Sequence, residues 1–305
     1  MFFPYRARIK LFHVPWITIL VSVLCVWIYW AQYNNQRAIW RAAGEFCEAE
    51  NNPTFLRALH WIGGSSDPSV CMQVMLKLYH GSDDRADMAA LAKQRGNPAI
   101  ATGALATHYE ESLLDTYRSF QARAPSNLTA RLWYTPGSGN PVRMVTAAFA
   151  HGSWGHVIGN LIFFFAFAAT IEILLGPILF LAVFIAFALG THTVYSLAIG
   201  KAQALPTVGL SGVVMGMIAL FVYFIPQARI SCFVWLVVFY RRFAIPAWLL
   251  AAWFIGWDIY SQVSGGKAGV NLIAHLAGAA LGFLLGFTLF RGKRHWAQEL
   301  VEDDD

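Results

Sequence analysis

"GLSGVVMGMIALFVYFIP", residues 209–226, is apolar enough to sit in lipid, yet it opens with a serine held between two glycines. A serine in a membrane helix commonly bonds back to the carbonyl one turn earlier or joins two helices, and Ser211 taken alone reads that way. The fold turns on whether other polar groups reach its depth. That depends on how often the chain crosses a membrane on either side of this segment.

The 305 residues are 57% hydrophobic, 15% aromatic and 13% charged, with a mean hydropathy of +0.49. These values lie outside the range of soluble domains and indicate a polytopic membrane protein. The formal net charge of +5 is distributed between apolar runs rather than along one basic stripe, so it bears on orientation and argues against a nucleic-acid partner. Cys25, Cys47, Cys71 and Cys232 are scattered, without the spacing of a metal knuckle, and neither a metal nor a cofactor is expected.

Besides 207–225, apolar runs at about 11–31, 157–175, 178–199, 244–263 and 270–290 approach the roughly 20 residues a helix needs to cross. The first follows Arg6, Arg8 and Lys10, lacks a small-residue cleavage site and ends in "WIYWAQ". It therefore reads as a retained signal anchor with an interfacial aromatic end. "ISCFVWLVVFY", residues 230–240, is about half as long as a span and is expected at the interface or packed on the bundle. With six spans, Arg6, Arg8, Lys10, Arg229, Arg241, Arg242, Arg291, Lys293 and Arg294 all fall on one side, leaving Lys201 and Lys267 in the opposite loops. Both termini are then cytoplasmic, and a bacterial plasma (inner) membrane is the expected location.

The expected division is 1–32, cytoplasmic N-terminus and first span; 33–140, a helical extramembrane insertion and first loop; 141–290, the five-span core; and 291–305, a cytoplasmic tail. Within the insertion, Ser82 can cap a helix with Asp83 and Asp84 in its first turn, Lys93 and Arg95 at its end, and Gly96 and Pro98 beyond. A second helix over 104–121 places Leu105, Tyr109, Leu113, Tyr117 and Phe120 on one face, read as packing. Cys47 and Cys71 share the oxidising side, and their pairing is left open.

Spans two, four and six all enter from that side. Ser211 lies roughly 6 Å into the fourth and His275 roughly 7.5 Å into the sixth, at 1.5 Å per residue. In "HGSWGHVIGN", His156 and Asn160 stand one turn apart on the second. A hydroxyl, two imidazoles and an amide at one level form an expensive set to keep in lipid. They match the nucleophile, base and oxyanion donors that peptide hydrolysis requires. Gly209 and Gly212 beside the serine, with Gly216, and Gly278, Gly282 and Gly286 after His275, allow close helix approach.

Three motifs, "HGSWGHVIGN", "GLSG" and "AHLAGAALG", resemble in order and topology the signatures of rhomboid intramembrane serine proteases over about residues 142–290. The resemblance implies an all-α membrane protein, a six-transmembrane-helix bundle with the helical insertion between helices 1 and 2. It implies Ser211 as nucleophile and His275 as general base and acid, a dyad without an obligatory carboxylate. His156, Asn160 and the Ser211 backbone N–H would form the oxyanion hole, and Glu172 in "ATIEILLG" would support the outer loop structurally. The chain departs from the family where a Trp-Arg pair is replaced by Val142-Arg143 and a tyrosine that stacks on the catalytic histidine by Met215.

Asp258, in "GWDIY" near an interface, reads as a snorkelling or capping carboxylate rather than a partner of His275. His192 is the rival base but has no motif around it. The function expected is hydrolysis of transmembrane or membrane-proximal segments of membrane proteins, within the lipid bilayer. The alternative is a non-catalytic relative that binds membrane segments. A small-solute transporter is disfavoured by the lack of an inverted repeat. Oligomeric state is not readable from the sequence.

Overall fold

The computed structural model describes residues 2–7, 14–81, 86–88, 90–91, 104–199, 205–236, 239–264 and 271–298. The chain divides into two compact units, one of residues 1–31 and 129–305, the other of residues 32–128. Residues 129–140, expected in the insertion, group with the first unit.

The first unit is a helical bundle. α1 (Trp16–Ala49) begins it and runs on into the second unit without a break, where the sequence reading ended the helix near residue 31. The elements that follow in the first unit are α5 (Leu128–Leu132), α6 (Pro141–Phe149), α7 (Trp154–Leu175), α8 (Pro177–Ile199), α9 (Ser211–Phe224), α10 (Ala247–Val263), α11 (Leu272–Thr288) and α12 (Arg294–Gln298). α1, α7 and α8 have the length and hydropathy to cross a membrane. α9, α10 and α11 are shorter, at 14, 17 and 17 residues.

α9 is the axis of the bundle. It is apolar all round and its residues from Gly212 to Phe221 are buried, as expected of a helix enclosed on every side. Phe167 of α7 meets Phe221 edge-on with centroids 5.2 Å apart, and Phe164 of α7 meets Phe184 of α8 at 6.1 Å. Against α11 the contact is backbone on backbone. A Cβ on Gly278 would collide with the Gly212 carbonyl and one on Gly282 with the Gly216 carbonyl, so these glycines set the spacing between the two helices.

α1 turns Thr18, Val21, Cys25 and Tyr29 inward and leaves Trp16, Leu20, Val23, Trp27 and Trp30 exposed, an apolar outer face that suits lipid. Glu172 corrects an expectation here. Its role is structural, but it does not reach toward the loop after the first span. Its carboxylate is 1% exposed and accepts from Ile17 N at 2.8 Å, Thr18 N at 2.7 Å and Thr18 Oγ1 at 2.7 Å. The amides in the first turn of α1 lack partners within the helix, and a buried carboxylate satisfies both their hydrogen bonds and the helix dipole.

The sequence reading contained no strand, and the bundle carries a small sheet. β2 (Arg229–Leu236) and β3 (Phe239–Pro246) form an antiparallel hairpin, and β1 (Phe2–Ala7) adds antiparallel to β2. The segment too short to span thus supplies most of β2 and the first residues of β3, rich in β-branched and aromatic side chains, with Ile230 and Cys232 fully buried.

The second unit contains the end of α1 with α2 (Pro53–Gly63), α3 (Pro68–His80) and α4 (Ala104–Arg123). Asn52 caps α2 by accepting from Thr54 N at 2.9 Å, and Gly64 closes it at φ 74°. Ile39, Ala43 and Phe46 of α1 pack with Phe55, Leu59, Met75, Leu113, Tyr117 and Phe120, and Tyr109 packs against them. Tyr109, Leu113, Tyr117 and Phe120 of the α4 stripe are therefore packing, as read, while the side chain of Leu105 lies outside those described. A disulfide joins Cys47 to Cys71. Most of the helix expected after Ser82 lies outside the described residues.

Candidate active site

Three helices begin at one place. Ser153 caps α7 by accepting from His156 N at 3.1 Å. Asn271 caps α11 by accepting from Ala274 N at 2.9 Å and donates its Nδ2 to Thr207 Oγ1 at 3.1 Å. Thr207 is held in turn by a two-way backbone bridge to Tyr134, and Gly209 N donates to Ala147 O at 2.8 Å. The segment before Ser211 is therefore tied on both sides, and α9 starts at the serine itself rather than four residues earlier, without a side-chain cap. The N–H groups of Ser211, Gly212 and Val213 have no acceptor four residues back in the helix, so they can turn to a ligand.

Ser211, His275, His156 and Asn160, with Thr207 and Asn271, line one cavity of about 670 Å³. Two close approaches account for this. A Cβ on Gly212 would stand 3.3 Å from the Ala274 carbonyl, so α9 and α11 approach closely at the residues next to Ser211 and His275. Gly209 adopts φ +123°, and a Cβ there would stand 2.9 Å from His156 Nε2, so a side chain at 209 would displace the imidazole. His156 Nδ1 accepts from Gly152 N at 3.4 Å, which leaves the proton of the neutral ring on Nε2, the nitrogen beside Gly209. Asn160 Nδ2 donates one hydrogen to His156 O at 3.0 Å and keeps a second for the cavity.

Asp258 overturns its sequence reading. Its Oδ2 lies 2.9 Å from His275 Nδ1, with the two side chains 13% and 16% exposed. It shares the inward face of α10 with Leu250, Ala251 and Ser261, all buried, whereas Trp253, Trp257 and Tyr260 point outward. Snorkelling requires the outward face. The helical spacing of Ala251, Phe254, Asp258 and Ser261 was the available signal.

His192 is not among the residues lining the cavity. Its Nδ1 lies 2.7 Å from Ala188 O and its ring packs edge-on to Tyr134, which makes it a satisfied interior histidine. Met215 is buried one turn after Ser211. Arg143 retains a structural contact, its Nη1 donating to Ala130 O at 3.1 Å. The sequence reading did not single out His151. It is 1% exposed, its Nδ1 donates to Phe149 O at 3.2 Å, and its ring stands edge-on to His156 with centroids 5.1 Å apart. Burial first, and the nearby His156 second, push its pKa down to about 4.

The family model described as "Rhomboid domain" matches residues 138–292. The chain belongs to the rhomboid family. This rhomboid is also 30% identical over 173 residues to "RHOMBOID-like protein 12, mitochondrial" of Arabidopsis thaliana, a match covering 51% of the chain and 48% of the relative. It thus spans about half the length of the curated relative it matches. That relative's name is mitochondrial and lends nothing to the expectation of a bacterial plasma membrane. The apolar helices make this rhomboid a membrane protein, and its rhomboid domain is consistent with action on membrane substrates.

Proposed function

We propose that the chain is an intramembrane serine endopeptidase that cuts transmembrane or membrane-proximal segments of membrane proteins. The observation that carries this reading is the convergence of Ser211, His275, His156 and Asn160 on one cavity. The first, seventh, ninth, tenth and eleventh helices, together with α8, are read as the six spans, with both ends of the chain on the cytoplasmic side.

In this mechanism Ser211 Oγ attacks the scissile carbonyl carbon while its proton passes to His275 Nε2. The carbonyl oxygen becomes an oxyanion that accepts from Asn160 Nδ2, His156 Nε2 and the Ser211 backbone N–H. Breakage of the C–N bond releases the amine, which takes the proton from His275 and leaves an acyl ester on Ser211. Water then attacks the ester with His275 again as base, restoring the serine and freeing the acid. The N-terminal ends of α7, α9 and α11 add partial positive charge where the oxyanion develops. An intact substrate helix hides its carbonyls in hydrogen bonds, so substrates are segments that unwind locally.

Labelling with a fluorophosphonate probe tests the reading. The wild type labels at Ser211, and Ser211→Ala and His275→Ala do not. A folded wild type that fails to label would instead favour the non-catalytic, segment-binding reading.

A further inference from the structure

One carboxylate lies at the inward face of a helix read as a membrane span. A carboxylate on a membrane-embedded helix costs several kcal/mol unless it has a partner or faces a polar cavity. Asp258 sits on α10, on the face turned toward the bundle, with a side chain 13% exposed and one oxygen 2.9 Å from His275 Nδ1. A carboxylate only accepts hydrogen bonds. The proton on Nδ1 is therefore the one shared, and the neutral ring keeps its lone pair on Nε2. That is the tautomer a base acting on Ser211 requires. Met215, buried one turn after Ser211, has a side chain that cannot donate a hydrogen bond and so gives the ring no hydrogen-bonded restraint. A single hydrogen bond from a third helix supplies that restraint.

We propose that Asp258 is the positioning residue for His275, so that this site works as a Ser–His–Asp triad assembled from α9, α11 and α10. The inference rests on the serine endopeptidase reading above. When Ser211 gives its proton to Nε2, the imidazolium that forms keeps its Nδ1–H on Asp258. The carboxylate stabilises that cation without taking the proton. Asp258 touches neither the substrate nor the reacting carbon, and its whole contribution passes through the ring.

The test uses the full chain in detergent, with the fluorophosphonate probe at varied concentration, so that the maximal labelling rate and the probe's apparent affinity are read separately. Asp258→Asn removes the charge and can present an amide N–H to Nδ1, favouring the wrong tautomer. The maximal rate is expected to fall about 100-fold, as for general-base impairment, with probe affinity within about twofold and an unchanged Tm. Asp258→Glu, which restores a carboxylate, recovers at least about a tenth of the wild-type rate. Nitrogen-15 spectra of the wild type, with the His275 signal identified by its loss in His275→Gln, show the proton on Nδ1 in the neutral ring. This last measurement stands even if the Asn variant does not fold. Wild-type labelling rates in Asp258→Asn, or a neutral ring protonated on Nε2, would overturn the triad while leaving the endopeptidase reading intact. A wild type that does not label at all overturns that reading and the triad with it.

Discussion

Asn160 has one amide hydrogen committed to the carbonyl of His156 and lines the cavity, so the structural bond is read in Tm and the proposed oxyanion contact in rate. Asn160→Ala is expected to lower the rate of substrate cleavage about 10²–10³-fold, as loss of one oxyanion donor does, with little change in Tm. A rate within twofold of wild type would remove Asn160 from the oxyanion hole. His151 carries a different prediction. Its folded pKa of about 4 lies below the ordinary 6.5, so the unfolded chain takes up a proton first as the solution is acidified. Stability from this group is complete above about pH 6.5 and is lost as pH falls toward 4, by on the order of 3 kcal/mol for about 2.5 units at 1.36 kcal/mol each. Denaturant titrations of the detergent-solubilised chain between pH 7 and 4 check this, and His151→Asn is expected to flatten the dependence. The sequence reading expected Ser211, His275, His156 and Asn160 at one level from the positions of three helix starts, and the four do line one cavity. The partner of His275 was not legible in the sequence. An isolated aspartate beside tryptophans looks interfacial until the face of α10 on which it lies is known.

At the scale of elements, the glycines between α9 and α11 decide whether the cavity exists. Gly278→Val drives a branched side chain into the Gly212 carbonyl, so the helices must separate. Overpacking of this kind costs about 1–3 kcal/mol, and here it acts one residue from Ser211. The expected outcome is a lowered Tm together with loss of fluorophosphonate labelling; a variant that labels normally would show that the two helices need not touch at this level. The apolar runs of the helices could be read in advance because length and hydropathy suffice to find them. The sheet could not. Length excluded 230–240 as a span, but the pairing of β2 with β1 joins segments from opposite ends of the chain, and strand pairing over such a separation leaves no local signature. Glu172 shows the same limit. Its position in "ATIEILLG" marked it as structural, while its partners at the start of α1 emerge only once two distant helices lie side by side.

For the molecule as a whole, the two units have separate cores, one built around α9 and the other around the end of α1 with α2, α3 and α4. The second has its own covalent tie, Cys47 to Cys71, while Cys25 and Cys232 are free and buried in the first. That contrast makes the chain its own compass. Glutathione keeps cytosolic thiols reduced, so a bond between Cys47 and Cys71 can persist only on the far side of the membrane or in another oxidising space. Counting which cysteines of the chain taken from cells become open to alkylation only after reduction would therefore report the direction in which the first helix was threaded, with no residue changed.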